Sequence, residues 1–126
     1  MFDKVASIKV SERVFDYVRE DLENLMHCDE NVKLSGYLET FNNCREQGYY
    51  LVVSSDNKPE KGNLIFWAYE HRSSDNIMVV ESTKYPYPNG LFEDEDWKKK
   101  WEFSYRVESM AAEHIVKRIK EYFEIV

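Results

Sequence analysis

The residues of this chain best suited to metal binding or nucleophilic chemistry are His27, His71, His114, Cys28 and Cys44. Zinc favours such nitrogen and sulfur ligands, but structural sites usually draw them in closely spaced pairs. No Cys-x-x-Cys or His-x-x-x-His occurs, so core thiols and surface histidines are expected, with no metal and no cofactor. A thiolate nucleophile needs a histidine within hydrogen-bond reach. His27 adjoins Cys28, yet neighbours on a helix point about 100° apart, so adjacency does not make a dyad.

Scattered acids are the next candidates, as ligands for magnesium in a nuclease. Asp75, Glu81 and Lys84 offer the residue types, but two residues separate Glu81 from Lys84, which sends the two side chains to opposite faces of a strand. Glu70-His71-Arg72 at a strand end reads as a cross-strand ion pair beside a turn rather than as an acid-base centre. The four glycines, at 36, 48, 62 and 90, are isolated, so no glycine-rich phosphate loop can form. The residues point to surfaces instead of a reaction centre.

Two acidic features stand out. Glu12, Asp16, Glu20 and Glu23 are spaced by four, four and three residues, which aligns them on one face of a helix. Glu93, Asp94, Glu95 and Asp96 form an unbroken run into Trp97, shortly after Tyr85 and Tyr87 in a Tyr-Pro-Tyr-Pro segment. The aromatic side chains would act as anchors and the carboxylates would steer a basic partner.

The elements that position these residues follow from periodicity. Ala6, Ile8 and Val10 alternate, which predicts a short strand over Lys4 to Val10. Ser11 offers an N-cap, and Val14, Phe15, Val18, Leu22, Leu25 and Met26 recur at helical spacing to about His27. After a break at Asp29 to Asn31, the spacing of Leu34, Tyr37, Leu38, Phe41 and Cys44 predicts a second helix capped by Gly48.

Tyr50 to Val53, Leu64 to Tyr69 and Ile77 to Val80 are β-branched or aromatic runs separated by turn residues, and Trp101, Phe103 and Tyr105 alternate with polar residues as a fourth strand. Ala111, Ile115, Ile119, Tyr122 and Phe123 define a last helix from about Glu108. The expectation is one α+β domain over residues 1–126: an antiparallel meander of about four strands against two N-terminal helices and one C-terminal helix. Leu22, Phe41, Ile115 and Ile119 are the expected core residues of the helices.

Composition narrows the function. A chain of 126 residues with 24 acidic and 17 basic side chains carries a formal charge of -7, a field that repels nucleic acid and attracts basic surfaces. The basic runs, Lys98 to Lys100 and Lys117 to Lys120, are offset by nearby acids. No apolar run approaches a bilayer span, and Met1 to Val10 lacks the apolar centre of a secretory signal, which favours the cytoplasm.

Aromatic residues make up 15%, more than a core of this size needs, so some are expected at a surface, and a homodimer is compatible with that excess. Small, acidic, aromatic-rich and cysteine-poor, the chain is similar in composition to many phage inhibitors and toxin-immunity proteins. The leading expectation is a non-enzymatic inhibitor that occludes the basic surface of a nucleic-acid-handling protein, of the phage anti-defence type. Two alternatives remain open: a small-ligand or nucleotide binder or enzyme whose pocket is lined by Trp67, Trp101, Phe103 and Tyr105, and a toxin-immunity protein.

Overall fold

The computed structural model describes residues 4–42, 47–70, 77–83, 102–105 and 108–125. The elements run α1 (Lys4–Cys28), β1 (Leu34–Asn42), β2 (Gln47–Ser55), a 3-10 turn (Pro59–Lys61), β3 (Asn63–Glu70), β4 (Ile77–Ser82), β5 (Glu102–Tyr105) and α2 (Glu108–Tyr122). The strands form one antiparallel sheet in the order β1-β2-β3-β4-β5. The protein is therefore α+β with an antiparallel meander, as its sequence predicts, but with five strands and two helices among the described residues.

Two predicted elements change type. Lys4 to Val10 is helical, part of the 25-residue α1. Ala6 and Val10 continue the four-residue spacing of Val14, Val18 and Leu22, and extending an existing helix fixes one more residue per hydrogen bond gained, whereas a new strand needs its own partner. Ser11 consequently lies inside the helix, where it is buried and donates from Oγ to the Ala68 carbonyl of β3 at 2.6 Å.

The predicted second helix is strand β1. All nine of its residues pair one-to-one with β2, from Leu34↔Ser55 to Asn42↔Gln47. Helical spacing is present, but Tyr37, Thr40 and Phe41 suit a pleated surface better than a helix. Tertiary pairing with the apolar strand β2 decides between the two.

Alternation sends each strand's residues to two faces. Leu34, Leu51, Val53, Leu64, Phe66, Ala68, Ile77 and Val79 meet Val14, Phe15, Val18 and Leu22 of α1 and Ala111, Ala112, Ile115, Ile119 and Phe123 at the other helix, all buried in one cluster. Leu22, Ile115 and Ile119 thus occupy the core as expected, while Phe41 lies on β1 with a side chain outside the described residues. On the opposite face Tyr50, Val52, Ile65, Trp67 and Val80 form a second buried cluster.

α1 packs mainly on β2 and β3, and α2 packs on α1, β4 and β5. The two helices run parallel. Arg13 pairs with Glu108 at one end, and Asp29 shares a cleft with Phe123 and Glu124 at the other. Both helix C-termini, with their partial negative charge, therefore point to the same end of the molecule. There Lys58 donates from Nζ to the Phe123 carbonyl and, at 3.4 Å, to that of Glu124. Lys61 pairs with the Glu124 carboxylate at 3.2 Å, and Tyr122 donates its hydroxyl to the Lys61 carbonyl at 2.6 Å.

Candidate functional site

The outer face of α1 carries a line of acidic side chains. Glu12, Asp16, Glu20 and Glu23 are all exposed, on the side of the helix away from Val14, Phe15, Val18 and Leu22. Asp21, about 100° round the helix from Glu20, is exposed nearer the apolar side, as is Tyr17, at 47%. Among the described residues no lysine or arginine pairs with any of these five acids. Arg13 is instead committed to Glu108 across the helix interface. Like charges at helical spacing repel by a few tenths of a kcal/mol per pair, and Arg19, three residues after Asp16 and four before Glu23, is the cation on this face placed to offset part of that cost.

Tyr85, Tyr87, Glu93, Asp94, Glu95, Asp96 and Trp97, the second predicted cluster, lie outside the described residues. Cys44, Glu70's side chain, His71, Arg72, Asp75 and Lys84 also fall outside them. Cys28 is a free thiol at the end of α1 and is exposed, where the sequence suggests a core thiol. His27 beside it is exposed too. Among the described residues no cluster of three or more His, Cys, Asp or Glu could hold a metal ion.

Glu81, one of the acids considered for magnesium, has a different task. It is buried on β4, with Arg118 of α2 forked onto both of its oxygens, Nε to Oε1 at 2.6 Å and Nη2 to Oε2 at 3.2 Å. Arg118 also donates from Nη1 to Glu121. The Glu81 hydrogen bond is the main cause of a raised Arg118 pKa, so this guanidinium stays charged and occupied. Sequence reasoning missed the pair because the two residues are 37 positions apart in chain order, although a lone acid inside an apolar strand is a signal that a cation must face it.

His114, one helical turn before Arg118, has its pKa lowered by burial first and then by the Arg118 and Lys117 charges, against a smaller opposing effect of Glu121. Its ring is neutral at physiological pH.

A cleft of about 320 Å³ opens where the helix C-termini meet the α1–β1 and β2–β3 connections, with Val32, Leu34 and Phe123 on its walls. Its polar groups are engaged with one another: Ser55 Oγ donates to Asn57 Oδ1 at 2.7 Å, and Asn57 Nδ2 to the Asn31 carbonyl at 2.8 Å, while Lys58 holds the end of α2. The arrangement staples two loops to a helix end. The predicted aromatic pocket fares differently: Trp67 is 1% exposed within the second cluster, Trp101 lies outside the described residues, and so do the side chains of Phe103 and Tyr105.

No helix among the described residues is long and apolar enough to cross a membrane. No protein-family model matches the chain, and neither a curated protein nor a solved structure matches it.

Proposed function

We propose that this chain is a non-enzymatic binding protein that places the acidic face of α1 against a basic surface of a nucleic-acid-handling protein, inhibiting it by standing where nucleic acid would bind. One observation carries the reading. Over the three turns from residue 12 to residue 23 the helix exposes four carboxylates on one face, Glu12, Asp16, Glu20 and Glu23. At about 1.5 Å of rise per residue they cover about 17 Å, or roughly one charge per 5 to 6 Å. A single strand of duplex DNA presents one phosphate per roughly 3.4 Å along the axis. A surface built to receive phosphates would meet a line of anionic groups here, at a spacing within about a factor of two of theirs.

Arg13 and Arg19 dilute this density only in part, and Arg13 is turned to Glu108. The net charge of -7 adds long-range attraction to a basic partner and repels nucleic acid itself, so direct nucleic-acid binding is not part of the proposal. We place the protein in the cytoplasm, where such partners work. Glu93 to Asp96, with Tyr85, Tyr87 and Trp97, belong to the same proposal as a second contact.

A toxin-immunity role would use the same acidic face and differs only in the partner, which capture of the binding protein identifies. The pocket reading is weaker. A cleft of about 320 Å³ is at the small end of ligand sites, and Ser55, Asn57 and Lys58 on its walls are already engaged within the protein. The experiment that tests the proposal is affinity capture with the natural chain and with a variant carrying Lys at 12, 16, 20 and 23, followed by identification of what only the natural chain retains.

A further inference from the structure

Strand β1 forms one edge of the sheet, with β2 as its neighbour on one side and no described strand on the other. Edges expose rows of N–H and C=O groups, and proteins usually blunt them with short strands, prolines, lysines or bulges. β1 carries none of these devices. It has nine residues, contains neither Pro nor Lys, and keeps an unbroken register with β2 over its whole length. α1 sits chiefly over β2 and β3 and meets β1 at its start, where Met26 Sδ accepts the Leu34 N–H. Ser35, Gly36 and Tyr37 are exposed, the last at 51%.

The register also fixes which groups point outward. Asp56 donates its N–H to the Lys33 carbonyl at 2.8 Å, which marks position 33 as one that bonds to β2. Hydrogen-bonded and non-bonded pairs alternate in an antiparallel ladder, so Ser35, Tyr37, Glu39 and Phe41 also bond inward. Gly36, Leu38, Thr40 and Asn42 direct their backbone groups away from the sheet. Leu34 fits the same alternation, since its N–H goes to Met26 Sδ at 3.4 Å instead of to β2.

We propose that the outer edge of β1, Leu34–Asn42, docks an extended, basic segment of a partner protein, which adds as a further strand through Gly36, Leu38, Thr40 and Asn42. The basic character rests on the acidic-binder reading above; the edge geometry does not. Charge selects this occupant over a second copy of the chain: the edge strand's one charged residue is Glu39, and a copy would bring another net charge of -7. An extended segment gains affinity from main-chain hydrogen bonds and alternate side chains, the mode of β-strand addition.

The test uses the full chain and a synthetic peptide of about eight residues alternating Lys and Val, with a Glu-Val counterpart and a Lys-Val version carrying central prolines as controls. Amide exchange followed by NMR should show Gly36, Leu38, Thr40 and Asn42 exchanging fast in the free protein and slowing when the Lys-Val peptide is added, with neither control having this effect. Gly36→Pro removes one outward N–H and should weaken binding by roughly tenfold or more, while Gly36→Ala, whose added Cβ meets nothing closer than 3.9 Å, should not.

If Gly36→Pro fails to fold, Tyr37→Lys on the exposed edge should weaken binding of the Lys-Val peptide, and unchanged binding overturns the inference. The inference is overturned if the four amides are already protected in the dilute free protein, if they become protected only as protein concentration rises, or if the Glu-Val peptide protects them equally. It is also overturned, with the α1 reading left standing, if peptide binding ignores Gly36→Pro but disappears on reversing Glu12, Asp16, Glu20 and Glu23. Protection that survives the α1 reversal supports the edge independently.

Discussion

Arg118 on α2 grips both carboxylate oxygens of Glu81 on β4, joining a helix to the sheet through a pair whose side chains are 20% and 5% exposed. Removing one member of a buried pair leaves the other charge desolvated, which costs about 3 to 5 kcal/mol. Arg118→Met is expected at the lower end of that range, because the guanidinium reaches the surface. The double substitution Glu81→Leu with Arg118→Met should recover most of the loss. Denaturant midpoints for the three variants decide it, and a single variant as stable as the double would show that water already solvates the pair.

Glu124 adopts a left-handed backbone, φ 56°, just past the end of α2. The Ile125 N–H returns to the Lys120 carbonyl at 2.8 Å and that of Glu124 to Glu121 at 3.3 Å, a Schellman-type ending that ordinarily holds glycine. Glu124→Gly and Glu124→Ala both delete the contact with Lys61, so their difference isolates the backbone. Glu124→Gly should be the more stable by about 1 kcal/mol. Equal thermal midpoints would mean that the left-handed conformation is not populated in solution.

His114 titrates below its ordinary 6.5 because burial and two nearby cations disfavour its charged form. The unfolded chain therefore binds the proton first as pH falls. The stability contributed by the neutral ring is complete above the unfolded value and is lost as pH drops through the lower, folded value. His114→Gln removes this dependence, so the stability gap between natural protein and variant should narrow in favour of the variant below pH 6.5. Carboxylates common to both cancel in the difference. A gap that stays constant across this window would contradict the assignment.

How much of this was legible in the sequence depends on which signals are local. The outer face of α1 was, because Glu12, Asp16, Glu20 and Glu23 share a spacing that only a helix turns into a stripe, and the structure leaves all four exposed. The meander and α2 were legible for the same reason. β1 was not: Leu34, Tyr37, Leu38 and Phe41 satisfy helical spacing, and their pairing with β2 depends on residues as distant as Ser55, the partner of Leu34. The start of α1 misled in the opposite sense, since the short stretch from Lys4 to Val10 lets both periods fit. Ser11 and Glu81 show the general limit. Each is a polar residue whose role is set by a partner distant in sequence, Ala68 and Arg118, and no local pattern encodes such a partner.

The central claim, that the acidic face of α1 engages a basic protein surface, is tested most directly by association kinetics with the captured partner at low and high salt. The comparison is between the natural chain and the variant reversed to Lys at 12, 16, 20 and 23, with circular dichroism confirming that both are folded. Exposed charges act over a screening length of about 8 Å at physiological ionic strength and work mainly on the rate of encounter. The account predicts that reversal slows association far more than reversal of the dispersed acids Asp3, Glu39 and Glu124, and that the difference shrinks as salt rises. Association that is unchanged by the four reversals, or that is independent of salt in the natural protein, would contradict it.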